Sequence, residues 1–474
     1  MVWHADAFND DFKFKIEYMN TRSLIIAATI GFGCLCIACK KLLEVNVPET
    51  KIERNRVFDN DGYANSAVVG MYINTYSSSG NFISGYGSLP WLLAFAGDEF
   101  HNLPQTDWSI VQFEDNEIQA DNPYISGAWA SLYALIYQAN SILEGLDKSV
   151  AVTTVKKAQF QGEALFMRAF AYFYLVNTFG NVPLALTTNY KLNSKLSRAS
   201  ESEVYRQIEI DLVSAESLLP EDYLSDERVR PNKSVAKAFL ARVYLYRKEW
   251  LKAEINASYI INQTNRYNLS TDLNNVFVAS SREAIWQLKP SDNINFTREG
   301  ATFLESPNNI LTLAFVNSFT PIDQRKIKWM TKIGNTFLPF KYKAQNISSM
   351  EKEYSMIFRL AEQYLIRAEA RAQLGHINNA NSALSDINII RKRAGLEDTT
   401  ATDLSSMMGI IEQEKKLELF TEWAHRWFDL KRWNRASIVL KPLKTKWDSH
   451  DVLFPIPQKE LNVNKNLAPQ NSGY

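Results

Sequence analysis

Hydrophobic positions along most of the chain repeat with a helical period. Between residues 126 and 146, Trp129, Leu132, Tyr133, Ile136, Tyr137, Asn140 and Leu143 recur three and four apart, one face of an amphipathic helix. Residues 164–176 read ALFMRAFAYFYLV, apolar nearly all round with Arg168 the single charge, so that helix must be covered on several sides. It should stop at Gly180, which can take φ > 0, ahead of Pro183, which cannot continue a helix. Further amphipathic helices are predicted over 203–219, 234–246, 251–261, 355–374 and 378–393. Two stretches break the pattern. Residues 77–123 are rich in Gly, Ser, Asn, Asp and Pro. Residues 264–350 mix strand-like pieces, 283–288 and 335–342, with Asn- and Ser-rich loops. In 283–288 the alternation turns Trp286 to the core and Ile285 and Gln287 to the other face. Irregular stretches this long are often functional when a rigid scaffold holds them.

The N-terminus has a different pattern. Residues 23–38, SLIIAATIGFGCLCIA, carry no charge, with Arg22 before them and Lys40-Lys41 after. A membrane-spanning helix needs about 20 such residues; sixteen with a basic start and a small-residue end fit a secretory signal. Leu35-Cys36-Ile37-Ala38-Cys39 resembles a bacterial lipobox, in which the Cys after the cut takes lipid on its sulfur. The lipidated residue is then Cys39. Residues 1–18 hold Asp6, Asp10, Asp11 and Glu17, wrong for a signal start, so translation is expected to begin at Met19, with 19–38 the signal peptide and 1–18 an upstream extension. Cys34, Cys36 and Cys39 are the only cysteines among 474 residues, so the body has no disulfide framework, Cys-ligated metal or thiol nucleophile. With 52 basic and 52 acidic residues the chain lacks the basic surplus of a nucleic-acid binder.

A weak internal repeat runs through the helices. Ala241 to Val243, Trp250, Ala253, Ala257 and Ile260 lie over Ala368 to Ala370, Ile377, Ala380, Leu384 and Ile387 at an offset of 127. Each copy is a helix, a short turn and a second helix, with small residues where the two cross. The pair resembles a tetratricopeptide unit; the copies are not tandem, so no long regular solenoid is expected.

The last third carries a family pattern. Residues 357–396 read IFRLAEQYLIRAEARAQLGHINNANSALSDINIIRKRAGL, residues 414–433 EKKLELFTEWAHRWFDLKRW, and residues 453–474 LFPIPQKELNVNKNLAPQNSGY. With CKKLLEV at 39–45 and YFYLVNTFGNVPL at 172–184, these resemble in order and spacing the signature segments of the SusD/RagB family of outer-membrane nutrient-binding lipoproteins. Trp423-Ala424 departs from the family's usual Glu-Gly, as does the Pro-poor tail at 464–466 and 471–473. The resemblance implies a mainly α fold: a SusD-like helical scaffold with tetratricopeptide-type helix pairs, long irregular loops and a few short strands. It implies one body over 39–474, with an N-terminal part 39–230 and a C-terminal part 231–474. It also implies an outer-membrane location by lipid anchor, facing the cell exterior. The implied role is capture of an oligosaccharide and delivery to a SusC-like TonB-dependent β-barrel transporter. A peptide-binding or scaffolding lid on such a transporter is the alternative.

Glu422, His425 and Asp429 tempt an acid–base reading, but aromatics interleave with them, and a structural ion-pair network is expected instead. No nucleophile elbow, phosphate loop or metal-ligand spacing appears, so a binder without catalytic centre, cofactor or metal is expected. Sugar binders offer flat aromatic rings to C–H faces and amides or carboxylates to hydroxyls. On that chemistry the candidates are Trp108, Trp91, Asp98, Phe100, His101 and Asn102 in the first excursion, and Asn295 and Trp329 in the second. Trp108 has the most polar neighbours and leads them; Trp433 is expected in the core.

Overall fold

A computed structural model describes residues 56–77, 85–102, 107–290, 294–305, 309–344, 349 and 351–474. The signal segment and Cys39 lie outside the described residues. Helices dominate. In chain order they are α1 (Asp61–Ser77), α2 (Leu89–Ala96), α3 (Trp108–Asp115), α4 (Pro123–Lys148), α5 (Thr154–Phe179), α6 (Glu201–Leu218), α7 (Lys233–Tyr246), α8 (Trp250–Ile261), α9 (Leu360–Gln373), α10 (Ala383–Arg393), α11 (Leu404–Glu418) and α12 (His425–Arg432), besides an eight-residue helix at Arg298–Glu305 and shorter helical pieces. From α4 to α12 each helix packs on its successor. None of the described helices is long and apolar enough to cross a membrane. Residues 57–474 form one compact unit.

The helix ends follow local chemistry. Pro123 opens α4 behind Asn122, whose side chain accepts the Tyr124 N–H. Ser200 and Glu203 form a capping box on α6. α5 is buried from Gly162 through Phe179 except at Leu165, and Gly180 closes it at φ 72°. The repeat is real in the backbone: α7–α8 and α9–α10 turn at Lys248 (φ 61°) and Gly375 (φ 83°), the same offset of 127. α8 packs on α9, so the two pairs stack directly.

Four expectations need correction. The helix expected from 355 begins at Leu360, because Ser355–Arg359 is a strand, β6, pairing antiparallel with β2 (Ala284–Leu288). All five residues of each strand are buried, so these pieces do not alternate: Gln287 lies inside with Trp286, its amide donating to the carbonyls of Glu227 and Ala279 at 2.8 Å each. α10 starts at Ala383 and not 378, since Asn381 turns at φ 58° and Ser382 caps the helix. The first excursion is also less irregular than expected, holding α2, α3 and β1 (Phe100–Asn102). β1 pairs with β3 (Asn309–Leu311), and β4 (Met330–Ile333) forms a hairpin with β5 (Thr336–Pro339).

The C-terminal segment is a buried seam of ion pairs. Arg359 reaches Glu418 (2.6 Å) and Glu422 (2.7 Å); Arg325 holds Asp323 (2.8 Å) and also meets Glu414 and Glu418. Asp429 takes Lys415 (3.0 Å) and Arg432 (2.7 Å). Burial, with Arg242 and Lys415 nearby, holds His425 well below the usual histidine range, so it stays neutral inside. Glu422, His425 and Asp429 thus belong to the scaffold. Trp423 and Ala424 both take left-handed backbone (φ 48° and 62°), where a glycine would sit without strain. The Trp423 indole N–H, bonded to the Met356 carbonyl at 2.6 Å, pins that turn.

Candidate functional site

α3 is eight residues long and about 12 Å from end to end. Asp107 caps it, accepting the Ser109 N–H at 2.9 Å. The same carboxylate accepts the hydroxyls of Tyr124 (2.9 Å) and Tyr86 (3.3 Å). Asn122, at the start of α4, donates to the Ser109 carbonyl (2.9 Å) and ties the two helices together. Tyr86 stands between Gly85 and Gly87, with φ of 82° and 76°. A side chain at Gly85 would press on Arg298 and one at Gly87 on the Tyr124 ring, each at 2.9 Å, so both glycines are needed for space as well as backbone. The Tyr86 ring centre lies 4.8 Å from Trp91 and 6.4 Å from Tyr124. Desolvation and the Asp107 charge push both phenols upward, so both remain donors. The result is a fixed surface with Tyr86 54% and Trp108 66% exposed.

The other end of α3 borders a cleft of about 610 Å³. Phe100, Leu311, Leu313 and Phe337 give it an apolar wall, and His101, Glu114, Asn335 and Lys446 line its polar side. Glu114 contacts the half-exposed His101 ring. A second cleft, about 380 Å³, lies between α4 and segments 183–196 and 460–467, with Tyr137 and Tyr190 among its lining residues.

The candidate residues separate accordingly. Trp108 is exposed on the first surface. Asp98, Phe100 and His101 border the larger cleft. Asp98, though, is buried: Arg426 (2.8 and 2.9 Å) and Lys416 (3.1 Å) overcome the opposing desolvation and hold its carboxyl well below the usual range. Trp91 is 4% exposed and donates to Asn309 at 3.0 Å; it backs the Tyr86 ring from inside. Asn102 is buried in β1, its N–H reaching Glu114 at 3.3 Å. Asn295 is half-buried, bonding the Ser349 carbonyl at 3.3 Å. Trp329 is a correction: it is fully buried, its indole N–H on the Leu273 carbonyl at 2.9 Å and its ring facing Lys341, so it offers no face to a ligand. Sequence reasoning underrated Tyr86, Asp107 and Tyr124. The available signal was Gly85-Tyr86-Gly87, a turn that must project its central ring, and an Asp placed to cap the helix that Trp108 opens. Among the described residues no cluster of His, Cys, Asp and Glu is placed to hold a metal.

A family described as starch-binding associating with outer membrane matches residues 94–245, and the SusD family matches residues 293–474. A SusD-like protein of Formosa agariphila is 27% identical over 422 residues, covering 75% of this chain and 81% of its own. A SusD superfamily structure from Bacteroides vulgatus superposes with a TM-score of 0.75 at 22% identity, covering 87% of this chain and 99% of that one. A surface glycan-binding protein A from Bacteroides uniformis gives 0.73 at 20% identity, covering 87% and 99%. The helical architecture with few short strands is shared with these structures.

Proposed function

The chain belongs to the SusD/RagB family, and from that premise we propose that it is a lipid-anchored outer-membrane protein that binds an oligosaccharide and delivers it to a SusC-like TonB-dependent β-barrel transporter. The observation that carries the binding reading is Trp108, a large ring two-thirds exposed, next in sequence to Asp107, whose carboxylate holds the hydroxyls of Tyr86 and Tyr124. Such a ring, mostly in water, adds little to the fold, whereas its flat face suits the C–H face of a sugar. The starch-binding description of the matched family supports the ligand class, and the glycan-binding name of the Bacteroides uniformis protein agrees with it. The role is binding rather than catalysis: of the acid–base candidates, Glu422 pairs with Arg359 and Asp429 with Lys415 in the buried seam, and His425 is buried and neutral.

The test is retention of the intact lipoprotein on immobilised glycans, with peptides as the competing class. Retention by peptides alone would replace this reading with the peptide-binding one. Cys39→Ala should abolish fatty-acid labelling and release the protein from the membrane, since each buried CH₂ of an acyl chain contributes about 0.8 kcal/mol to anchoring. Detergent extraction should co-purify an outer-membrane barrel through an interface above about 2,000 Å², as lasting complexes bury. Recovery of the protein alone while the transporter is expressed would remove the delivery step.

A further inference from the structure

We infer, resting on the oligosaccharide reading above, that the cleft between α4 and segments 183–196 and 460–467 is a second glycan site, in which Glu460 accepts the hydroxyls of a sugar and Tyr137 and Tyr190 take its ring faces. It is separate from the aromatic surface at α3. Tyr124, in the first turn of α4, bonds Asp107 there; Tyr137 lies about 20 Å further along the same helix and about 140° round it. The walls of the cleft are fixed by hydrogen bonds that use up their own polar groups. The Tyr133 hydroxyl donates to the Pro183 carbonyl and the Asn140 amide to that of Ala185, each at 2.8 Å. Glu144 accepts the hydroxyl of Thr187 (2.7 Å) and the N–H (2.7 Å) and hydroxyl (2.6 Å) of Thr188. Asn464 donates to the Leu196 carbonyl at 2.8 Å. Segment 183–196 is thereby stapled to α4 on one side and to the C-terminal segment on the other.

Glu460 is different. It is the one charged residue among those described that line the cleft, it is half-buried, and no donor or cation among the described residues meets its carboxylate. Burial, Tyr172 and the Glu460 charge together push the Tyr133 phenol up, so the carboxylate lies close to that ring. Tyr133 itself is backed by Trp129, the two ring centres 5.0 Å apart. At the rim Tyr137 is 45% and Tyr190 73% exposed. A cleft of about 380 Å³ lined by rings and a few polar groups falls in the range of small-ligand sites. Two neighbouring hydroxyls of a sugar can both donate to one carboxylate, and such bonds are charge-assisted. Exposed phenol rings suit the sugar's C–H faces. Of the two carboxylates, Glu144 is saturated by threonine donors, and Glu460 has its acceptor capacity left for a ligand.

The experiment measures retention of the intact lipoprotein in detergent on immobilised amylopectin, laminarin, xylan and alginate. Glu460→Gln keeps the shape and removes the charge. It should weaken retention on at least one glycan about fivefold or more, since bonds to a charged acceptor are roughly twice as strong as neutral ones, with the melting temperature unchanged. Tyr190→Ala removes a ring mostly in water and should weaken the same glycan about two- to tenfold. Combined with Trp108→Ala, Glu460→Gln should lower retention by at least the product of the two single losses, since a chain held at both places gains from each. If Glu460→Gln and Tyr190→Ala are both retained like the parent while Trp108→Ala is weakened, the inference is overturned and the glycan reading stands. It is equally overturned if Glu460→Gln keeps its glycan affinity and loses a co-purified barrel protein, for the cleft is then a protein contact. Retention of the parent by no glycan overturns that reading and this inference with it.

Discussion

Glu418 and Asp107 are both carboxylates at helix ends, and their surroundings differ in kind. Glu418 ends α11 wholly buried, with Arg359 at 2.6 Å, Arg325 at 3.3 Å and Arg393 also on it, and these cations hold it far below the usual carboxylate range against the cost of burial. Asp107 opens α3 half-buried, bonded by one amide and two phenols. The tryptophans near them differ in the same way: Trp427 is buried beside the seam, and Trp108 stands in water. Both regions use Trp, Tyr, Asp and Glu. What separates scaffold from site is whether each side chain's capacity for contact is already used up. In the seam the carboxylates and guanidinium groups spend it on one another; at α3 the ring faces are left over.

The comparison breaks most violently at Arg359. Arg359→Met leaves Glu283, Glu418 and Glu422 facing one another with fewer cations, and removing one partner of a buried pair costs about 3–5 kcal/mol. Urea unfolding should show that loss, while protein that still folds binds glycan normally. A cost below about 1 kcal/mol would mean the seam does not hold the C-terminal segment. Trp433→Ala is gentler. This ring was expected in the core but is half-buried, lying under Arg432 (4.5 Å) and Lys415 (5.3 Å) with its N–H on Glu369 at 2.8 Å. Full burial of a Trp is worth about 3–5 kcal/mol on truncation, so about 2 kcal/mol is expected here.

These two residues show what was legible in the sequence. Trp433 sits in a run of aromatics and charges that reads as core, and periodicity cannot say that the last ring of that run lies at the rim. The long helices were legible because apolar residues three and four apart have one physical meaning when sustained. The strand at Ser355–Arg359 was not, since a short buried strand and the first turn of a buried helix are both continuously apolar. Its identity depends on Ala284–Leu288 lying alongside, a contact about 70 residues distant in sequence. The candidate site was half legible. Trp108 stood out because its neighbours are polar. Trp329 misled because nothing nearby in sequence reveals Leu273 and Lys341, which cover it. Tyr86 and Asp107 meet only after folding.

Glu99 joins the two regions: its carboxyl accepts the Thr421 N–H of the seam at 3.2 Å, and it precedes β1 on the cleft side. Burial and the neighbouring Asp98 charge push it up to about 8, from an ordinary 4.5. Between those values the folded protein keeps a proton that the unfolded chain has released, so this group lowers stability as pH rises from about 4.5 to 8. Asp98 acts oppositely; its depressed carboxyl loses its contribution only on acidification below its unfolded value, so it is constant over pH 5–8. Glu99→Gln removes the titration while keeping the shape. Its stability relative to the parent should therefore climb between pH 5 and pH 8 by at least about 1.4 kcal/mol, one pKa unit's worth. Parallel pH profiles for the two proteins would show that Glu99 titrates normally.

The smallest effect is the most informative. Trp108→Ala removes a ring that touches little of the fold, so the melting temperature should stay within about 2 °C of the parent, the shift expected from under 1 kcal/mol in a protein this large. Binding should suffer instead. A stacked ring contributes roughly 0.5–1.5 kcal/mol beyond burial, and 1.4 kcal/mol is tenfold in affinity, so titration calorimetry should show a loss of about two- to tenfold. The parent affinity should lie between micromolar and millimolar, because 1 μM already corresponds to about −8.2 kcal/mol and a ligand that is handed on must leave. Tyr86→Phe sharpens the result. It keeps the ring and deletes the hydroxyl's bonds to Asp107 (3.3 Å) and Tyr124, so a fall in affinity there, with stability unchanged, means that this hydroxyl network acts by fixing the aromatic surface. If Trp108→Ala leaves affinity untouched while a lesion at Phe337 in the larger cleft lowers it, the ligand sits at the other end of α3, and the leftover ring is no guide to it.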